Sequence, residues 1–148
     1  MKSYINAIFF LVVINAAHGA EVEVVSELDT SKGNLKLFQK REKPTSFADY
    51  SIELNGKVII KADSQSKRIV SFYPEKKPEY IVVQIITGGS GCPATYKVID
   101  LTFKEPNVTE LFGNCSDYIK TEYLSNRKIK LIVGGEAWLY SDGKFKEK

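Results

Sequence analysis

Between Tyr80 and Asp117 the chain reads YIVVQIIT, GGSGCP, ATYKVIDLTF, KEPNV and TELFGNCSD. Two runs rich in β-branched residues flank a glycine-rich corner, the pattern of paired strands around a turn. Cys92 sits at that corner and Cys115 at the far end, and the chain has only these two cysteines. The stretch predicts a central β-hairpin closed by a disulfide, and the rest of the chain has to be arranged around it.

Such a bond needs an oxidising compartment, and the N-terminus supplies a route to one. Lys2 gives a short positive region, Ile5 to Ile14 an apolar run broken only by Asn6, and Ala16 to Gly19 a small-residue exit. Ala17 and Gly19 stand where a signal peptidase reads. Residues 1–19 are predicted to be a signal peptide, too short an apolar run to span a bilayer. Residues 20–148 are then one all-β domain, periplasmic or secreted, with no later membrane span and no lipoprotein cysteine at the cleavage point.

Charge and composition narrow the function. Loss of Lys2 with the leader leaves 20 basic against 18 acidic side chains, a net +2. The lysines are interleaved with acids, as in Lys40-Arg41-Glu42-Lys43, and no basic stripe of the nucleic-acid-binding kind is visible. The single histidine, His18, lies in the predicted leader. Without it the mature chain has no Ser-His-Asp or Cys-His nucleophile and no His-ligated metal site. No metal or other cofactor is expected.

Turn residues divide the mature chain at short intervals. Glu21 to Leu28 alternates, DTSKGN turns, and Leu35 to Phe38 is extended again. Asn55-Gly56, between alternating Tyr50–Leu54 and Lys57–Ala62, is the strongest hairpin signal. Arg68–Tyr73 is a strand, Pro74 and Pro78 bracket a charged loop, and Tyr118–Asn126 is the only segment with a helical turn in prospect. Lys128–Val133 and Ala137–Tyr140 are strands around Gly134-Gly135, and Asp142-Gly143 turns into Lys144–Lys146. YSIELNGKVII and AWLYSDGKFK echo one another as two hairpins of one design. The expected fold is an antiparallel sandwich or barrel of nine or ten short strands with one disulfide.

The residues with chemistry to offer are few. Gly88, Gly89 and Gly91 precede a strand, so they are no P-loop, which needs a following helix. Asp100, Glu105, Glu110 and Asp117 are the available carboxylates, and a glycosidase needs only two of contrasting pKa. Trp138, Tyr140, Tyr96 and Tyr73 suit either an aromatic patch or the core. Asp63 and Asp142 lack the spacing of a calcium loop. Asn107-Val-Thr and Asn114-Cys-Ser are glycosylation sequons that matter only in a eukaryotic secretory route.

The block GG-x-G-CPA-x-Y, Gly88 to Tyr96, followed by FG-x-CSD, Phe112 to Asp117, resembles a group of small exported proteobacterial proteins of unassigned function. The likeness covers about a fifth of the chain, concerns its scaffold, and carries no catalytic residue. Ser90-Gly91 and Tyr96 are also similar to the S-G-x-x-Y loop of periplasmic lysozyme inhibitors, small disulfide-bonded β-barrels. Here four residues separate the pair from the tyrosine instead of two.

The sequence therefore predicts a non-enzymatic binding module, of inhibitor or immunity type, acting on a protein partner in the cell envelope. Its expected contact residues are Ser90, Gly91, Thr95, Tyr96 and Asp117, with Tyr96 as aromatic anchor. The alternative is a carboxylate-based hydrolase of envelope polysaccharide.

Overall fold

A computed structural model describes residues 19–124 and 127–146. The predicted signal peptide lies, but for its last residue, outside the described residues. Those residues form twelve strands and no helix, two or three strands more than the turn signals predicted. They are β1 (Glu21–Thr30), β2 (Gly33–Arg41), β3 (Asp49–Leu54), β4 (Lys57–Asp63), β5 (Ser66–Tyr73), β6 (Tyr80–Ile86), β7 (Ala94–Asp100), β8 (Asn107–Val108), β9 (Ile119–Leu124), β10 (Lys128–Val133), β11 (Glu136–Ser141) and β12 (Lys144–Lys146). Each consecutive set of four makes one antiparallel sheet, ordered β1-β2-β3-β4, β5-β6-β7-β8 and β12-β11-β10-β9.

The three sheets pack as a sandwich with an extra layer. Leu35, Leu37, Ile52, Leu54 and Ile60 of the first sheet share a core with Ile81, Val83, Ile85, Ile99 and Leu101 of the second. Tyr80, Val82, Ala94, Tyr96 and Val98 of the second sheet share another with Ile129, Leu131, Val133 and Tyr140 of the third. Successive strand residues point to opposite faces, so β6 sends its odd-numbered residues into one core and its even-numbered ones into the other. A strand buried on both faces has no polar side to display. That is why YIVVQII is apolar at both parities, Gln84 excepted, instead of alternating.

Three of the hairpins turn through a pair of left-handed residues. Asn55-Gly56, Gly134-Gly135 and Asp142-Gly143 all have positive φ at both positions, between 51° and 85°. That is the two-residue turn whose twist matches paired strands. The echo between YSIELNGKVII and AWLYSDGKFK is thus a shared hairpin geometry. The helical turn expected over Tyr118–Asn126 is a correction. Through Leu124 the segment is β9, with Ile119 opposite Val133 and Tyr123 opposite Ile129. Ring stacking of Tyr123 on Tyr73 at 4.5 Å and a 2.8 Å hydrogen bond to Ser71 fix it against the second sheet.

A buried polar cluster lies at the Tyr80 end of the second core. Asp100 is 2% exposed, and its Oδ1 accepts from the Thr102 amide at 2.9 Å and hydroxyl at 2.7 Å. Its Oδ2 accepts from the Tyr140 hydroxyl at 2.8 Å. Burial, and then the Asp100 carboxylate, push the Tyr140 phenol well above its ordinary value of 10.0. Burial also raises Tyr80, Tyr96 and Tyr123. A phenol whose folded pKa exceeds its unfolded one contributes stability that is complete below the unfolded value and lost as pH climbs toward the folded one. The urea midpoint should therefore hold steady up to about pH 10 and fall beyond it. Tyr140→Phe, which cannot ionise, should show a shallower fall above that pH. An equally steep fall would mean that Tyr140 does not carry this linkage.

Candidate functional site

The β6–β7 connection, residues 87–93, is the glycine-rich corner, and it is hydrogen-bonded to itself. The Thr87 amide donates to the Pro93 carbonyl at 3.2 Å, and the Thr87 hydroxyl donates to the Cys92 carbonyl. The Gly89 amide donates back to Thr87 Oγ1 at 3.4 Å. Gly88, at φ 73°, makes a bend that a side chain would strain. Cys92 is bonded to Cys115 with the two Cα atoms 4.5 Å apart. Cys115 itself has φ 69°, a left-handed conformation uncommon outside glycine. The bond thus ties the corner to the segment that follows Phe112.

Beneath the disulfide a second brace runs through the core. Gln84 is 2% exposed in the middle of β6, where an unpaired amide would be costly. It is fully engaged. Its Nε2 donates to the Tyr96 hydroxyl at 3.2 Å and the Asp117 carbonyl at 3.0 Å, and its Oε1 accepts from Arg68 at 2.7 Å. The Tyr96 hydroxyl donates onward to the Ser116 carbonyl at 2.9 Å. Backbone bonds join Tyr96 and Phe112 in both directions, at 2.9 and 3.0 Å. A Cβ on Gly113, at φ 117°, would stand 3.2 Å from the Tyr96 ring. The 112–117 segment is therefore held by ring packing, backbone pairing, the buried amide and the disulfide together.

Two of the expected contact residues are corrected by this geometry. Tyr96 is fully buried: it faces the second core with Ala94 and Val98, and its ring packs on Phe112 at 5.8 Å. It supports the corner from below and offers no ring to a partner. Thr95 Oγ1 is buried and has no hydrogen-bond partner among the described residues, so that hydroxyl does not reach the surface. Ser90, Gly91 and Asp117 are exposed. The aromatic missing from the expectation is Tyr118, next to Asp117 and 67% exposed. Its position just beyond Cys115 is the signal that could have found it.

The other candidates disperse. Asp100 is saturated in the core, Glu105 is exposed and lies 3.4 Å from Lys57, and Glu110 and Asp117 are exposed on the segment between β8 and β9. Of the aromatic patch, Tyr140 and Tyr96 are core residues, Trp138 is half-buried, and Tyr73 is stacked on Tyr123. Asn107 donates to the Tyr140 hydroxyl at 3.1 Å and the Gly143 carbonyl at 2.9 Å, so its amide is committed to the fold. Among the described residues no three His, Cys, Asp or Glu side chains are placed to hold a metal ion, and no helix is long and apolar enough to cross a membrane. Comparison with protein-family models, curated proteins and solved structures finds no match to the chain in any of the three.

Proposed function

We propose that this chain is an exported binding module, of inhibitor or immunity type. Its contact with a protein partner in the cell envelope is made by the disulfide-tied corner. The observation that carries the reading is the double brace: the Cys92–Cys115 bond outside and the Gln84–Tyr96 hydrogen bonds within. A loop fixed in shape before it docks loses little conformational entropy on binding. The corner offers Ser90 and the backbone of Gly88–Gly91, and the far side of the disulfide offers Asp117 and the exposed ring of Tyr118. Tyr118 takes the anchoring role first given to Tyr96, since tyrosine is among the residues that dominate interface energetics. The disulfide fits a periplasmic or secreted setting. The same two blocks carry the likeness to small exported proteobacterial proteins. A polysaccharide hydrolase is less well supported, because Asp100 is buried and held by three hydrogen bonds from Thr102 and Tyr140.

The test is affinity capture from an envelope extract with wild type and with Ser90→Arg. An exposed loop substitution of this kind should leave the melting temperature nearly unchanged. The variant is expected to lose a partner that wild type retains. An identical partner set with the fold intact would place the binding surface elsewhere.

A further inference from the structure

The unpaired edges of the sheets differ in charge. The edge strands are β1 and β4, β5 and β8, and β12 and β9. Native edge strands are commonly protected by lysine or by shortness. Here β4 carries Lys57 and Lys61, β5 the exposed Arg68, β9 Lys120, and β12 Lys144 and Lys146, while β8 has only two residues. The exception is β1, which has ten residues, four acids and no base.

The first half of β1 also runs past the core. On the core-facing side of β2, Leu35 and Leu37 are succeeded by Gln39 and Arg41, which line a shallow cleft with Glu21 and Glu23. Val22 opposite Lys40 is 50% exposed, and Val25, at the bulge between Val24 and Ser26, is 38% exposed. Arg41 stands opposite Glu21 on the inner side, and farther along Lys36 and Lys77 answer Glu27 and Asp29. On its outer side Glu21-Val22-Glu23 has no strand beside it among the described residues. A strand added there would present its side chains about 5 Å from these, so the complement is basic, apolar, basic.

Among the edges, β12 alone has that order, as Lys144-Phe145-Lys146. Phe145 turns inward, 4.6 Å from the Phe112 ring and 5.5 Å from Tyr140, while both lysines are exposed. We infer that β1 of one copy pairs antiparallel with β12 of a second copy, Glu21 against Lys146, Val22 against Phe145 and Glu23 against Lys144. β1 against β1 would instead bring acids together, and like charges directly opposite are destabilising. The two strands belong to the outer layers on opposite sides of the central sheet, so the contact is head-to-tail between molecules. Three cross-strand pairs make a small contact, so association is weak, concentration-dependent and reduced by salt.

Sedimentation velocity over a concentration series, at low and at raised salt, tests this with two charge-reversed variants, E21K/E23K and K144E/K146E. Wild type is expected to self-associate, and each variant alone to be monomeric, because each places like charges across the seam. An equimolar mixture of the two variants should recover association, since each then offers the charge the other lacks. Amide exchange should slow at residues 21–23 as wild-type concentration rises, which reports the backbone pairing apart from the charges. Monomeric wild type throughout the series would overturn the inference. So would either variant associating as wild type does, or a mixture that stays monomeric while both variants melt as wild type.

Discussion

Replacing Tyr96 by alanine is expected to remove about 3–5 kcal/mol of stability, the range for deleting a buried aromatic side chain. The ring fills the second core between β7 and the third sheet, against Phe112. Its hydroxyl links Gln84 to the Ser116 carbonyl, so the truncation also leaves buried polar groups short of partners. Tyr96→Phe separates the two contributions. It keeps the ring and loses only the hydroxyl, at a cost of about 1–3 kcal/mol. Denaturant unfolding of both variants measures the difference directly. Were Tyr96→Ala to cost no more than Tyr96→Phe, the ring would not be packed as described. A ring standing at the surface would cost little in either form.

Loss of the disulfide is the second large effect. The bond closes a sequence separation of 23 residues, for which loop-closure entropy gives about 3 kcal/mol. In a domain of this size that corresponds to a melting temperature lower by about 10 °C or more. Calorimetry of the double Cys→Ser variant at positions 92 and 115 measures it. The position of Cys115 adds a finer expectation. At φ 69° serine is strained where glycine is not, so Cys92→Ser with Cys115→Gly should melt above the double-serine protein. Equal melting of wild type and the double-serine variant would show that the core and the Gln84 amide hold the corner without the bond.

Much of this architecture could be read from the chain. Asn55-Gly56, Gly134-Gly135 and Asp142-Gly143 marked three hairpins because their backbone demands are local. The cysteine pair was legible from its number and from the predicted leader. What could not be read depends on distant partners. Ile119, Tyr123 and Leu124 satisfy a helical spacing as well as a strand, and pairing with β10 decides between them. The two-residue β8 is too short to carry any period. In β6, apolar residues at both parities signal burial on both faces, but the covering layers come from strands on either side in sequence.

Tyr96 shows why the site was only half legible. The glycines beside it suggested a surface loop, yet it lies two residues into β7 and shares a face with Ala94 and Val98. The opposite face carries Thr95 and Lys97, so the alternation itself pointed Tyr96 inward, against what the glycines suggested. Gln84 was unmarked because a single polar residue in a buried run signals nothing until its partners are known. Tyr118 opens a segment whose spacing also fits a helical turn, so nothing local marks it as an exposed ring.

On the proposed reading, the corner's shape is set before any partner arrives. Backbone amide order parameters at Gly88, Gly89, Ser90 and Gly91, measured on the oxidised protein, test it most directly. Rigid backbone gives values near 0.85, and flexible loops fall below about 0.6. The braces described here should hold these four amides at about 0.8, close to those of β6 and β7. Values below about 0.6 with the disulfide intact would show that the corner is not preformed.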